Sequence, residues 1–343
     1  MTLTELSYYF RKYLPYVILF FIIFLIFFYS IKLTLIYLNS SKTTVVYTNP
    51  IFGKIGPPEI PQSTTSANLK FTLDTIEGVP VTATEAAKVF FLPQLNPRFG
   101  YSEKIYLIAK SFGFDTAVVR HKLVDKTATF ADADKTLTID ISNFNFKFDR
   151  KVDDALFSSP QLTIPTKAII ENKAIDFLKK IGRYPEELGK GTVNVIYLKH
   201  NPGNENFINV EKSSLAQLVE VDFQRPDIDG YSVVTPKFFT SQNYVIMLFQ
   251  GTDYQIIKSQ ISFFEKSEEQ VGTYLIKTGD EAWSELNSGL GFVVAGTQGQ
   301  QNIVIKDMKL RYFDPDIYQS YLQPVYVFLG EGNFVGYVPA VKN

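Results

Sequence analysis

The sequence predicts an α+β protein carried on a single N-terminal transmembrane helix, with two antiparallel-sheet modules that each have packing helices. Three observations lead there. An uncharged apolar run opens the chain, and short stretches of alternating large apolar residues fill most of the remaining length. Two amphipathic helical stretches each precede a series of such strands, which is the order of an α+β layer.

From Tyr13 to Ile31 the chain runs 19 residues without a charge; Lys32 interrupts, and Leu33 to Leu38 continues apolar. A helix needs about 20 apolar residues to cross ~30 Å of hydrocarbon, and backbone in lipid must satisfy its own hydrogen bonds. Tyr13, Tyr16, Tyr29 and Tyr37 stand towards the two ends, where amphipathic rings prefer the headgroup level. A cleaved signal peptide has a shorter apolar core followed by small residues; here the bulky Ile36-Tyr37-Leu38-Asn39 follows. The reading is a cytoplasmic tail over 1–12 and an uncleaved anchor over 13–38. Arg11 and Lys12 before the span balance Lys32 and Lys42 after it, so flanking charge leaves the orientation tied. Long downstream domains translocate largely regardless of charge, and the absence of cysteine suits a non-cytosolic domain. The expectation is a single-pass plasma-membrane protein with its C-terminal bulk extracytoplasmic.

Residues 39–68 hold Pro50, Pro57, Pro58 and Pro61 and the polar run Gln62 to Ser66. Proline stiffens and a Ser/Thr run loosens such a segment, so it reads as a stalk, with Thr43 to Tyr47 as a local strand by its β-branched composition.

The first module is expected over 69–155. Phe71 to Ile76 and Ala87 to Leu92 read as strands. Ile105, Ile108 and Phe112 recur at helical spacing after Ser102, and Gly113 supplies a left-handed stop. Strands at 117–124, 127–132, 136–141 and 144–149 come next, the last placing Phe144, Phe146 and Phe148 on one face. The second module is expected over 165–343. Thr166 caps a helix whose stripe is Ile169, Ile170, Ala174, Phe177, Leu178 and Ile181, ended by Gly182. Strands succeed it at 192–199, 215–223, 244–249 and 254–264. Thr278 and Glu281 have capping-box spacing and open a short helix carrying Ala282, Trp283 and Leu286. Strands at 303–313, 323–330 and 333–341 close the chain with the alternation of half-buried antiparallel sheets.

The closing elements, Ala282 and Leu286, then Ile305, Leu310, Tyr312 and Phe313, then Pro324, Val325 and Tyr326, and finally Ala340, resemble the C-terminal domain of the YycI/YycH-type extracytoplasmic accessory proteins and the related PepSY-like modules. The resemblance covers Pro165 to Asn343. The Pro-rich stalk and the unit before Pro165 depart from that family's pattern. It implies regulation without catalysis: such proteins restrain a membrane-bound sensor histidine kinase through helix and outer-domain contacts.

Composition removes more chemistry than it suggests. Lys plus Arg is 34 and Asp plus Glu is 35, without the basic surplus that nucleic-acid binding uses. There is no cysteine and there are two histidines, His121 and His200, which excludes thiol catalysis, disulfides and Cys-ligated metals. Asp132-Ala133-Asp134 lacks the glycine and distal glutamate of a calcium loop and reads as a hairpin turn. Asp314-Pro315-Asp316 reads as a turn after a strand, and Gly289-Leu290-Gly291 with Gly296 as a helix stop and loop, not a dinucleotide fingerprint. His121 alternates onto a solvated side and His200 falls in a loop, leaving no serine triad. The Phe pairs at 90–91, 238–239 and 263–264, and Trp283, read as core. Paired carboxylates remain open because their separation is spatial, and nothing in the sequence nominates a pair. No catalytic, cofactor-binding or metal residue is expected, and no cofactor. The expected function is that of a non-enzymatic cell-envelope protein that meets the lipid bilayer through its helix and regulates or scaffolds another membrane protein. The alternatives are a structural or assembly component binding cell-wall polymer or an extracellular peptide, and an envelope hydrolase using dispersed carboxylates.

Overall fold

The computed structural model describes residues 3–40, 46–65, 69–97, 99–158, 162–201, 206–296 and 299–342. The chain divides into two compact units, Met1–Tyr47 and Thr48–Asn343.

The first unit is the helix α1 (Leu3–Ser40), which extends past both expected ends of the apolar run. Its stretch Tyr13–Leu35 has a mean hydropathy of 2.6, with none of it buried, and is long and apolar enough to cross a membrane. The Thr34 hydroxyl donates to the Ser30 carbonyl at 2.8 Å, which satisfies within the helix a group that would be costly to leave bare in lipid. Of the strand expected at 43–47, residues 43–45 lie outside the described residues, and Val46 and Tyr47 are in no strand.

The second unit begins with β1 (Thr64–Thr65), β2 (Lys70–Leu73), β3 (Ala86–Phe91) and α2 (Tyr101–Ser111). The strands β4 (Lys122–Val124), β5 (Thr127–Ala131), β6 (Lys135–Asp140) and β7 (Phe146–Arg150) lead to α3 (Lys167–Lys180) and α4 (Glu186–Gly189). Then come β8 (Thr192–Asn201), β9 (Asn206–Asn209), β10 (Leu218–Gln224), β11 (Val233–Val234), β12 (Tyr244–Gln250) and β13 (Asp253–Ile261). The chain closes with β14 (Val271–Leu275), α5 (Gly279–Asn287), β15 (Phe292–Ala295), β16 (Asn302–Phe313), β17 (Tyr321–Gly330) and β18 (Phe334–Pro339).

These strands form two nine-stranded sheets. The first runs β1-β15-β18-β17-β16-β11, with β2 on β16, β3 on β17 and β14 on β3; the second runs β4-β5-β6-β7-β13-β12-β10-β8-β9. The whole second sheet lies in the chain between β3 and β14 of the first. The break expected between 155 and 165 therefore falls inside one sheet: β7 pairs with β13, Phe146 opposite Ile261 and Phe148 opposite Ser259. Alternation tells which face of a strand is buried, not which strand lies beside it. The second sheet is antiparallel as expected, whereas β2 and β11 both run parallel to β16.

The expected stalk is corrected over its described part. Residues 48–65 lie against the first sheet, with Ile55, Pro58 and Ile60 buried. Asn49 exchanges backbone bonds with Thr273, Gln323 Nε2 donates to the Gly56 carbonyl at 2.9 Å, and β1 adds to β15. The prolines keep this segment extended, but Ile55, Pro58 and Ile60 have a sheet to bury against.

α2 and α3 cover one face of the second sheet, where Ile105, Ile108, Ile170, Ala174, Phe177 and Leu178 meet Phe130, Leu137, Phe148, Val221, Phe223 and Met247. Gly113 and Gly182 take the expected left-handed conformation after each helix, φ +80° and +66°. Thr166 makes no side-chain cap bond. At α5 the capping box forms: Glu281 N donates to Thr278 Oγ1 at 3.2 Å and Thr278 N to Glu281 Oε2 at 2.7 Å. Ala282 and Leu286 then pack on Tyr326, Phe328 and Val338 of the first sheet, with Trp283 half-buried beside Phe328. Phe144, expected on the strand face, sits at φ +61° in a turn, so the strand begins at Phe146.

Candidate functional site

Among the described residues, the face of the second sheet away from α2 and α3 is met by no α-helix, only by the short 3-10 turn Asp154–Ser158. Paired positions on neighbouring strands stand in transverse rows. One row reads Asn194, Asp222, Tyr244, Gln260, Lys147 and Thr138 across β8, β10, β12, β13, β7 and β6. The adjacent row reads Ile196, Glu220, Ile246, Lys258, Asp149 and Thr136. Next to them Leu198, Leu218, Leu248 and Ile257 pack under Phe157, so that part of the face is closed by an apolar cover. In the two polar rows Asp222 and Ile246 are buried, and the other side chains reach the surface at least in part.

A cleft of about 760 Å³ lies over them, lined from the sheet by Lys147, Glu220, Tyr244, Ile246, Lys258 and Gln260, and at one end by Asn201, Phe207 and Asn209. Leu198 and Ile208 also line it, and Thr235, Pro236, Lys237, Thr240, Ser241, Gln242 and Asp316 supply the opposite wall. That second wall is braced. Ser241 Oγ donates to the Phe223 carbonyl at 2.7 Å and accepts from Asn243 N at 3.0 Å. Gln242 Nε2 bonds the Asp314 and Pro315 carbonyls, and Thr235 Oγ1 bonds the Thr240 carbonyl at 2.8 Å. A site between braced walls holds its groups in place before a ligand arrives.

Glu220 and Asp222 carry the electrostatics. They are two residues apart on β10, hence on one face. Burial, then the Asp222 charge and a hydrogen bond to that carboxylate, push the Glu220 carboxyl up to about 8. Burial also raises Asp222, against the bonds it accepts from Glu220 and the Ser241 backbone. Glu220 is therefore the protonated partner at neutral pH and donates to Asp222. Among the described residues Asp222 Oδ1 has no hydrogen-bond partner. Tyr244, opposite Asp222, is pushed up to about 12 by burial first and then by Glu220, Asp149 and Asp222, so it stays a neutral donor. Lys258 is tied to Asp149 at 3.4 Å. The cleft thus offers hydroxyl, amide and ammonium donors, the Glu220 acid backed by the buried Asp222, and the rings of Tyr244 and Phe207. A proton shared by two carboxyls can be given or taken during acid–base chemistry.

The histidines lie elsewhere, and in neither expected setting. His121 is half-buried, its Nδ1 3.2 Å from the Tyr106 hydroxyl. His200 is on β8, 9% exposed, stacked on Phe157 at 4.1 Å with its Nε2 2.7 Å from Asp154 Oδ1. Asp132 to Asp134 make the tight β5–β6 hairpin, Asp132 N bonding the Lys135 carbonyl at 2.9 Å. Gly289 ends α5 at φ +76°. Phe90, Phe263 and Phe264 are core, but Phe239 is 56% exposed beside a left-handed Phe238, which corrects the core reading of that pair. Among the described residues no group of three or more His, Cys, Asp and Glu could hold a metal. What the sequence hid was the carboxylate pair. The signal was two acids at alternate positions of an otherwise apolar strand, Leu218 to Phe223, on the face opposite Val219, Val221 and Phe223.

Comparison with known protein families finds no match, and no curated protein matches. Among solved structures, an uncharacterized protein from Eubacterium rectale ATCC 33656 is similar at 12% identity and a TM-score of 0.30, covering 76% of this chain and 81% of its own.

Proposed function

We propose that this chain is a membrane-anchored binding protein of the cell envelope, held by α1 with its second unit outside, and that the open-face cleft takes a polar polymer strand, a glycan before a peptide. The observation that carries the reading is the cleft between two transverse rows of the sheet and a braced loop. A half-covered sheet face that alternates amide, carboxyl, hydroxyl and ammonium groups around Tyr244 and Phe207 suits a ligand rich in hydroxyls and amides. A regulatory role, in which a membrane partner such as a sensor kinase inserts a segment into the same cleft, is its companion. One experiment separates them. A photo-crosslinking residue replaces Thr240 in the full chain in its native membrane, and the captured species is identified. Wall glycan supports the polymer reading, a defined integral protein supports the regulatory one, and no cleft-dependent product removes both.

The shared proton favours a second reading, hydrolysis with Glu220 as general acid. Turnover of a wall glycan by the full chain, lost in Glu220→Gln, is its test.

A further inference from the structure

A second, smaller cavity of about 220 Å³ is lined by a different set of polar residues, among them Lys126, Asp140, Ser142, Arg183, Glu265 and Lys266. Arg183 follows the left-handed Gly182 after α3, and its backbone N bonds the Leu178 carbonyl at 2.8 Å. This places the side chain inward, and the residue is only 8% exposed. Its Nη2 donates to Asn145 Oδ1, which also accepts from Phe263 N at 3.2 Å. Asp140 and Glu265 lie near enough to favour its charge, but neither is ion-paired with it among the described residues. Asp140 Oδ1 is instead engaged by Ser142 N at 2.7 Å, and Glu265 is exposed.

Among the described residues, two buried polar atoms of the lining have no hydrogen-bond partner, Arg183 Nε and Ser142 Oγ, and neither has Nδ2 of Asn145, whose Oδ1 holds Arg183. Each can donate a hydrogen bond. Buried polar groups are ordinarily bonded and buried charges paired, so a guanidinium without a carboxylate partner beside the idle Ser142 hydroxyl describes an acceptor that belongs in the cavity. The charges on the wall say which kind. Lys266 is already paired with Glu268 and Glu187, which leaves Arg183 and Lys126 against Asp140 and Glu265, a balanced set that suits a monoanion carrying its own ammonium and disfavours a dianion. A guanidinium fork matches a carboxylate in plane, and the two wall acids can take an ammonium on the same ligand.

We propose that this cavity is a binding site for the carboxylate of a small molecule, a simple carboxylate or an amino acid, held by Arg183 and Ser142. The site is separate from the open-face cleft and stands or falls independently of it.

The test is calorimetric titration of the full chain in detergent, in carboxylate-free buffer, with acetate, glycine and inorganic phosphate as probes. The expected result is saturable one-to-one binding of acetate or glycine with a Kd of about 1 mM or tighter. Binding should be abolished in Arg183→Gln and weakened roughly tenfold in Ser142→Ala, which removes one bond to a charged group. Should Arg183→Gln fold poorly, the smaller thermal stabilisation of Ser142→Ala by the same probes carries the test. Absence of saturable binding by either carboxylate, phosphate binding more tightly than both, or unchanged affinity in Ser142→Ala overturns the proposal.

Discussion

Arg225 Nη2 lies 3.0 Å from Asp314 Oδ1, and neither side chain reaches solvent to any useful degree. Arg225 follows β10 of the second sheet and Asp314 follows β16 of the first, so this contact joins the two sheets. The same guanidinium bonds Glu187 of α4 through Nη1 at 2.7 Å and the Phe264 carbonyl at 2.6 Å, and stacks over the Phe263 ring at 4.1 Å. A buried charge that loses one partner is left uncompensated, so Asp314→Ala should destabilise the unit by about 3–5 kcal/mol. The urea midpoint measures it; a loss under about 1 kcal/mol contradicts the stitching role.

The Glu220–Asp222 pair predicts a pH dependence. The folded carboxyl titrates at about 8 and the unfolded one at about 4.3, so between those values the folded state holds a proton that the unfolded chain has released. Stability from this group is complete below about pH 4 and falls as pH rises, by at most ~1.4 kcal/mol per unit, until it levels above pH 8. Glu220→Gln fixes the neutral form and should flatten that part of a Tm–pH curve, gaining on the wild type at pH 9. Parallel curves for the two proteins would refute the shared proton.

Phe112 stacks on Phe148 at 4.2 Å and meets Phe177 and Phe146 at 5.0 and 5.4 Å. It is where α2 and α3 share the sheet. Phe112→Ala leaves a cavity on all three sides and should cost about 3–5 kcal/mol, read from chemical denaturation.

A Cβ on Gly191 would stand 1.7 Å from the Gln224 carbonyl oxygen, a backbone atom at the end of the β8–β10 ladder, where Thr192 pairs with Gln224. Gly191→Ala should therefore cost about 3 kcal/mol or more, because the ladder must shift. Gly56→Ala, whose added methyl meets nothing within 4 Å, is the control and should stay within about 0.5 kcal/mol of the wild type in thermal melts.

Phe24 is near the middle of the apolar stretch Tyr13–Leu35. An arginine at the centre of an inserted helix costs about 2.5–3.5 kcal/mol. Phe24→Arg should move protein from the membrane pellet towards the soluble fraction after alkaline extraction, whereas Phe24→Leu should not. Equal retention of both variants would show that α1 is not what holds the chain.

Much of the local structure was legible because its causes are local. Ile105 and Ile108 at helical spacing, Gly113 and Gly182 as stops, and Thr278 with Glu281 as a cap all act within a few residues of one another. The site was less legible. His200 looked like a loop residue because Asn201-Pro202-Gly203 comes after it, yet β8 runs on to Asn201. Glu220 and Asp222 looked like two acids among 35; only their side-by-side position on one face of β10, beside Tyr244 from the next strand, made them a pair.

By itself the sequence determined an apolar helix of spanning length, the α+β class, the positions and buried faces of most helices and strands, and the lack of thiol chemistry. Tertiary structure alone decided that the second sheet is inserted into the first, that the proline segment lies on the fold, and that Arg183 and Arg225 are both buried but only one finds carboxylate partners. The reason is physical. Periodicity and caps report which side of an element avoids water, and that information travels with the residue. Which strands become neighbours depends on contacts between residues far apart in the chain, as with Phe146 and Ile261, and no short-range pattern encodes it.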